Sequence, residues 1–334
     1  MYGGAPLMAR TYFLTGALGC IGAWVIKTLV ERGDRAVAFD ASDDDRRVRD
    51  LVEPDALAGY SLIRGDLTDR AAVTQALRAS AAQSVIHLAA LQVPFCKADP
   101  AKGAAVNVLG TVHVFESVKA VGLRQVVYAS SAAVYGPGAE VPDETALCEP
   151  TTHYGVYKRA NEGTAGIYAQ DDGIASVGLR PLTVYGVGRD QGLTSGPTTA
   201  MKAAVLGDPY RIGFSGATDF LFAGDAAAAF VLAADIPAEG ARVFNLHGDT
   251  AEVLDVIDMI DSLTDDARSG RITAEGPEIP IPPMLDGAAV RLALPGLPAT
   301  PLAEGIGATM QRFRELKSKG RLDTRDLPSE SPTP

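Results

Sequence analysis

Two groups of residues in this chain have types and spacings suited to chemistry. Tyr154 and Lys158 stand four apart in TTHYGVYKRANE, a separation that makes side chains neighbours on one helix face. A tyrosine hydroxyl ordinarily ionises near about pH 10, so it needs a cation beside it to serve as a base at neutral pH. Lys158, one turn on, would be that cation. Far upstream, Thr15-Gly16-Ala17-Leu18-Gly19-Cys20-Ile21-Gly22 comes after a short apolar run. A strand-to-helix turn with those glycines lets the backbone approach a pyrophosphate and aims free N–H groups and the helix dipole at it. A dinucleotide cradle and a proton-transfer pair together point to hydride transfer.

Each signal alone is weak. A glycine trio also marks a tightly packed helix start, and a random Tyr-x-x-x-Lys is usually an amphipathic helix with a solvated lysine. Context strengthens both. Asp40 ends the next apolar run, RAVAFD, 18 residues after Gly22. An acid there accepts hydrogen bonds from the adenosine ribose hydroxyls and repels a 2′-phosphate, which favours NAD over NADP. Arg46 and Arg47 pull the other way, since an arginine can accommodate that phosphate, but DDDRR also reads as a solvated loop. Asp66, in SLIRGDLTD, either meets the adenine amino group or caps the following helix. Ser130 and Ser131 end the strand QVVYASS, at a sheet edge where a hydroxyl can hold a substrate oxygen.

The elements that must position these groups alternate. From Thr11 onward come TYFLTG, a helix from Ile21 to Arg32, RAVAFD, SLIRGDL, a helix near Arg70 to Ala79, SVIHLAA, a helix near Pro100 to Val121, QVVYASS, a helix near Thr152 to Gln170, and IASVGLR. This order predicts an α/β fold, a Rossmann-type doubly wound parallel sheet covered on both faces. After about Pro181 the rhythm breaks into glycine- and proline-rich loops with shorter helices. We expect an NAD-binding domain over residues 8–181, a smaller mixed substrate lobe over 182–316, some of whose segments return to the sheet, and a flexible tail over 317–334. Residues 1–7 read as an extension ahead of the fold.

These segments, in order, resemble a known family, the extended short-chain dehydrogenase/reductases or NAD-dependent epimerase/dehydratases. The resemblance spans roughly residues 10 to 315 and rests on TGALGCIG, VAFD, RGDLTD, HLAA, VNVLGT, SSAAVYG, YGVYK, RPLTVYG and TPLAEGI. It implies that Tyr154 is the general acid/base, that Lys158 lowers its pKa and binds the nicotinamide ribose, and that Ser131 takes the place of the catalytic Ser/Thr. It implies NAD contacts at Gly16, Leu18, Gly19, Cys20, Ile21, Gly22, Asp40, Asp66, Leu67, Leu88, Ala89, Ala90, Asn107 and Lys158. By chemistry alone, Asn107 is equally a polar helix residue. His87 is expected to pack beside the cofactor strand rather than titrate in catalysis. Members commonly pair through the helices that here span Pro100 to Val121 and Thr152 to Gln170, so a homodimer is implied.

Members of the family share an oxidation step and diverge after it. Dehydratases carry an Asp-Glu pair after the catalytic Ser/Thr, where this chain has Ala132 and Ala133, so dehydration is disfavoured. Epimerases need no extra acid. The expected function is therefore an NAD-dependent enzyme on a carbohydrate, an epimerase of a sugar or nucleotide sugar working through a transient keto intermediate. The alternative is a dehydrogenase of a smaller sugar, sugar acid or other alcohol, and a third reading is a non-enzymatic NAD sensor. The dehydrogenase gains weight from substrate grip. Relatives that bind a nucleotide diphosphate usually have Arg-Asp-Phe where this chain has Thr218-Asp219-Phe220, and Asn where it has Thr183. A diphosphate without an arginine fork loses its best bidentate partner. Candidate substrate residues are Ser130, Ser131, Tyr154, Thr183, Arg189 and Arg211, with Arg180 and Arg291 as further arginines and Tyr135 as a wall. The segment 192–199, GLTSGPTT, is a candidate flap.

Composition narrows the class. The chain has 334 residues, 47% hydrophobic and 21% charged, enough for a large core. A formal net charge of -11 argues against nucleic-acid partners, which need a basic face. Cys20, Cys96 and Cys148 are widely spaced, with no CxxC pair or zinc pattern, so no metal is expected and a reduced cytoplasm suits them. No apolar run reaches the roughly 18 residues of a membrane span.

Overall fold

The structure, a computed structural model, describes residues 9–138, 140–265 and 269–328. The expected extension at 1–7 and the end of the expected tail, 329–334, lie outside them.

Seven strands form the main sheet. They are β1 (Thr11–Thr15), β2 (Arg35–Asp40), β3 (Tyr60–Arg64), β4 (Ser84–His87), β5 (Gln125–Ala129), β6 (Ala175–Pro181) and, after three strands of the lobe, β10 (Ala241–Leu246). Their order is β10-β6-β5-β4-β1-β2-β3, and every pairing is parallel. Central strands read as continuous apolar runs because helices cover both faces. The order reverses between β1 and β4, the switch point outside whose carboxyl ends ligands bind in such sheets. Registers bring the strand ends level there, with Thr15 opposite both Phe39 and His87.

The helices are α1 (Cys20–Glu31), α2 (Arg46–Leu51), α3 (Arg70–Ser80), α4 (Val93–Ala98), α5 (Pro100–Ala104), α6 (Gly110–Val121), α7 (His153–Asp172), α8 (Gly196–Leu206), α9 (Ala223–Asp235), α10 (Val253–Ser262), α11 (Ala288–Ala293) and α12 (Leu302–Ser318). One core holds α1 and α9 against one sheet face; a second holds α3 and α6 against the other, with Phe115 stacked on Tyr168 of α7. The chain thus returns to the sheet twice after Pro181, as α9 and as β10. The lobe itself is built on β7 (Thr183–Tyr185), β9 (Ala217–Phe222) and β11 (Asp249–Glu252), with β8 (Tyr210–Ile212) and β12 (Ile272–Ala274) as a separate pair.

Two expectations change. Residues 196–199 are no flap, because they form the first turn of α8, whose residues 196–205 are all buried. The described part of the expected flexible tail is tethered: Lys202 Nζ holds Asp326 at 2.6 Å, Arg46 pairs with Asp323, and Leu322 and Leu327 pack on the core. Salt-bridge partners more than a hundred residues away cannot be read from local polarity.

Candidate active site

The glycine turn is built as its spacing requires. Gly16 has φ +66°, and a Cβ there would lie 2.4 Å from the Ala89 nitrogen, so only glycine lets the turn touch the segment after β4. Gly22 packs its backbone against Ala17, where a Cβ would come within 2.5 Å of the carbonyl oxygen. Gly19 differs: a Cβ there would meet only the Gly16 oxygen, at 3.3 Å, and otherwise face open space. Gly19 caps α1 in an extended conformation with no side-chain cap and no acid in the first turn. The helix N-terminus is thus left to an anion, and this cradle fits the pyrophosphate of NAD. Gly19→Ala is expected to weaken NAD binding by about tenfold or more while leaving the melting temperature of the cofactor-free protein within a few degrees; calorimetric titration beside thermal melts checks this.

The other expected cofactor residues line the same edge. Asp40 accepts the Leu18 N–H at 3.0 Å and the Ser42 N–H at 3.0 Å, which holds its carboxylate at the end of β2 beside the turn. Asp66 is exposed and binds the Thr68 N–H and hydroxyl, both at 2.8 Å; the α3 cap is Asp69. Leu67 is buried against Gly110, and Leu88, Ala89 and Ala90 come directly after β4. Burial pushes the Cys20 thiol up to about 11, so it stays a packing group next to Ile21. Neither Arg46 nor Arg47 is free for a 2′-phosphate. Arg47, expected in a solvated loop, binds Asp190 through two nitrogens at 3.0 and 2.6 Å and donates to the Leu18 carbonyl at 2.8 Å. Arg46 is held by Asp44 and Asp323.

The residues expected to be catalytic lie where β5 meets α7. Thr152 caps α7, accepting the Gly155 N–H at 3.0 Å, which starts the helix just ahead of Tyr154. Gly155 lies so close to the turn after Ser131 that a Cβ would sit 2.3 Å from the Ala133 oxygen. That approach sets the half-buried Tyr154 beside Ser131, whose hydroxyl accepts the Ala133 N–H at 3.2 Å and favours the phenolate. Lys158 is buried, donates to the Ala129 carbonyl at 2.6 Å, and places its ammonium 5.5 Å from the Tyr154 ring centroid. Burial raises the Tyr154 pKa, against the lowering effects of the neighbouring Ser131 hydroxyl and of the charge on Arg189. Lys158 gives a hydrogen bond to β5 while standing over the Tyr154 ring, and the positive charge of Arg189 also favours the phenolate.

Burial also lowers Lys158 itself, from the usual 10.5 to about 8. A base whose folded pKa is depressed costs stability below that value and recovers it as pH rises through the window from 8 to 10.5. Lys158→Met is thus expected to stabilise the cofactor-free protein at pH 7, by roughly 2–3 kcal/mol at most. The gain should vanish by about pH 10, and denaturant melts at the two pH values check the sign.

Several expected substrate residues are committed elsewhere. Ser130 is 1% exposed and donates to Glu162 at 2.6 Å. Arg180 is buried on that same Glu162, and Tyr135, expected as a wall, is buried with its phenol between Arg180, Asn245 and the Asp143 carbonyl. Thr183 is fully buried, its hydroxyl 2.9 Å from that of Thr218, so the two departures from the family pattern face each other. Arg211 is exposed on β8 with Glu275, and Arg291 is exposed on α11. Asn107 holds the Leu91 backbone with both ends of its amide, at 2.7 and 2.9 Å. His87 is buried and neutral, its pKa lowered to about 3 by burial and by Lys158. Residues missed by the sequence reading are Thr152, Gly155 and Glu162; a Thr three before a helical glycine was a visible cap signal.

A doubly wound sheet with a pyrophosphate cradle at its switch point and a Ser-Tyr-Lys set at the next edge defines a nicotinamide-dependent enzyme of the short-chain dehydrogenase/reductase class. The model of the NAD dependent epimerase/dehydratase family matches residues 12–246. The UDP-glucose 4-epimerase of Mycolicibacterium smegmatis is 30% identical over 319 residues, 90% of this chain and 97% of that protein. MoeE5 in complex with UDP-glucuronic acid and NAD is 27% identical, with a TM-score of 0.78 over 91% of this chain and 99% of that one. The Thermus thermophilus UDP-glucose 4-epimerase in complex with NAD has a TM-score of 0.79 at 23% identity, over 91% and 99% of the chains. This chain belongs to the NAD-dependent epimerase/dehydratase family. Among the described residues no helix is long and apolar enough to cross a membrane.

Proposed function

We propose that this enzyme epimerises a nucleotide sugar through a keto intermediate, with Ser131, Tyr154 and Lys158 as its catalytic residues. The observation that carries the reading is the approach of Ser131 and Tyr154 where the turn after β5 meets α7, with Ala132 and Ala133, and no acid, following Ser131. Bound NAD supplies the acceptor for the electron pair removed from the substrate carbon. Tyr154 takes the proton of the substrate hydroxyl as that carbon is oxidised, while Ser131 holds the oxygen. Lys158 keeps donors for the nicotinamide ribose beyond the one given to Ala129. The keto sugar then presents its other face, and the carbon would regain its hydride there as Tyr154 returns the proton to the oxygen.

The test is direct. Incubation with UDP-glucose, UDP-galactose, UDP-glucuronate and UDP-galacturonate in turn should give interconversion of one pair at C4 without net NADH. One observation favours the alternative, a dehydrogenase of a smaller sugar or sugar acid: the closed Thr183–Thr218 pair offers no cation where relatives carry arginine. NADH accumulation with a free sugar or aldonate, and silence toward nucleotide sugars, would establish it.

Self-association belongs to this reading. Val156 and Ile167 on α7 and Leu109 beside α6 are 47%, 57% and 46% exposed. A Cβ at Gly163 or Gly166 would meet nothing, which leaves α7 a flat face for a second copy. Light scattering is expected to give a dimer mass, and Val156→Lys with Ile167→Lys to give the monomer.

A further inference from the structure

The helix that was expected to run from Pro100 to Val121 contains a π-turn at Ala105–Leu109. Such turns are rare and concentrate at functional sites. Here the Asn107 carbonyl is taken by two side chains: the Thr111 hydroxyl at 2.7 Å and, from α7, the Asn161 amide at 2.9 Å. Thr111 Oγ1 also lies 2.9 Å from His87 Nε2, and His87 Nδ1 lies 2.6 Å from the hydroxyl of Thr15, the residue before Gly16. The Asn107 amide holds Leu91, the next residue after Leu88, Ala89 and Ala90. A buried polar chain thus runs from α7 to both backbone segments that line the cofactor cradle. Asn161 heads it, three residues after Lys158 and 3% exposed.

Its Oδ1 has no hydrogen-bond partner. A buried amide with one end unmet is disfavoured relative to an apolar side chain of that size, so packing does not explain an asparagine here. Only the Nδ2 donor does, and a carbonyl can accept only from that end.

We propose that Asn161 is a positioning residue for the dinucleotide: by donating to the Asn107 carbonyl of the π-turn, it sets the Leu88–Leu91 segment against the glycine turn and so fixes the cradle relative to the Lys158 helix. The proposal concerns the NAD site and not the sugar. A chain whose NAD affinity depends on Asn161 yet which epimerises nothing would overturn the functional reading alone.

The test uses the full cofactor-free chain, NAD titration calorimetry and thermal melts. Asn161→Leu is expected to raise the NAD Kd by about tenfold with an unchanged or higher melting temperature, since the unmet Oδ1 is gone. Thr111→Val, removing the other donor to that carbonyl, should act in the same direction, and the double variant should fall short of the product of the two effects. Asn161→Asp keeps the shape and loses the donor, so it must weaken NAD as well if the leucine variant does not fold. NAD affinity within about twofold of the parent in Asn161→Asp, effects that simply multiply, or a loss that merely tracks a fall in melting temperature would overturn the proposal.

Discussion

Tyr154→Phe should lower kcat by about 10²–10⁴-fold, the usual contribution of a positioned acid/base, with NAD affinity nearly unchanged. The ring under the Lys158 ammonium is kept, and only the hydroxyl beside Ser131 is removed. Activity within about tenfold of the parent would remove the tyrosine from the mechanism. The pH profile adds a second reading. Because burial raises the phenol and Arg189 opposes it, Arg189→Met takes away a charge that favours the phenolate. The acid limb of kcat should then move to higher pH in that variant, and a limb that stays in place would mean that Arg189 does not act on the phenol.

Glu162→Ala should be the most damaging single change to stability, at about 3–5 kcal/mol, the range for stripping one partner from a buried ion pair. Glu162 and Arg180 are 3% and 2% exposed and joined by two hydrogen bonds of 2.7 Å. The same carboxylate accepts from Ser130 at 2.6 Å and lies 3.2 Å from Arg159. Removing it leaves a guanidinium without water or counter-charge and frees the residue next to Ser131, so activity should fall with stability. A melting temperature lower by on the order of 10 °C is expected for Glu162→Ala. The paired replacement Glu162→Leu with Arg180→Met should recover much of that loss, because an apolar pair leaves no charge unmet. Equal losses in the single and paired variants would show that the network is not acting as an ion pair.

The glycine turn and the pairing of Tyr154 with Lys158 were legible because their geometry is local. Four residues make one helical turn wherever the helix lies, and a turn that must pass a pyrophosphate needs glycine whatever surrounds it. The parallel sheet could be read from alternation for the same reason, since strand and helix periods are written in neighbouring residues. The placement of Arg180 was not legible: LRPLTVYG shows an arginine near the site, and nothing local says that it turns inward to Glu162. Thr183 and Thr218 looked like two separate losses and proved to be one hydrogen-bonded pair across strands.

By itself, then, the sequence determined the class of enzyme and its cofactor, each carried by residues within a few positions of one another. The tertiary structure alone decided which serine hydroxyl is tied to the buried Glu162, Ser130 and not Ser131, and that Arg180 turns inward to the same carboxylate. It also decided where β10 and α9 lie. These outcomes depend on partners up to more than a hundred residues apart, whose meeting is set by the packing of whole elements and by the requirement that every buried charge find its counterpart.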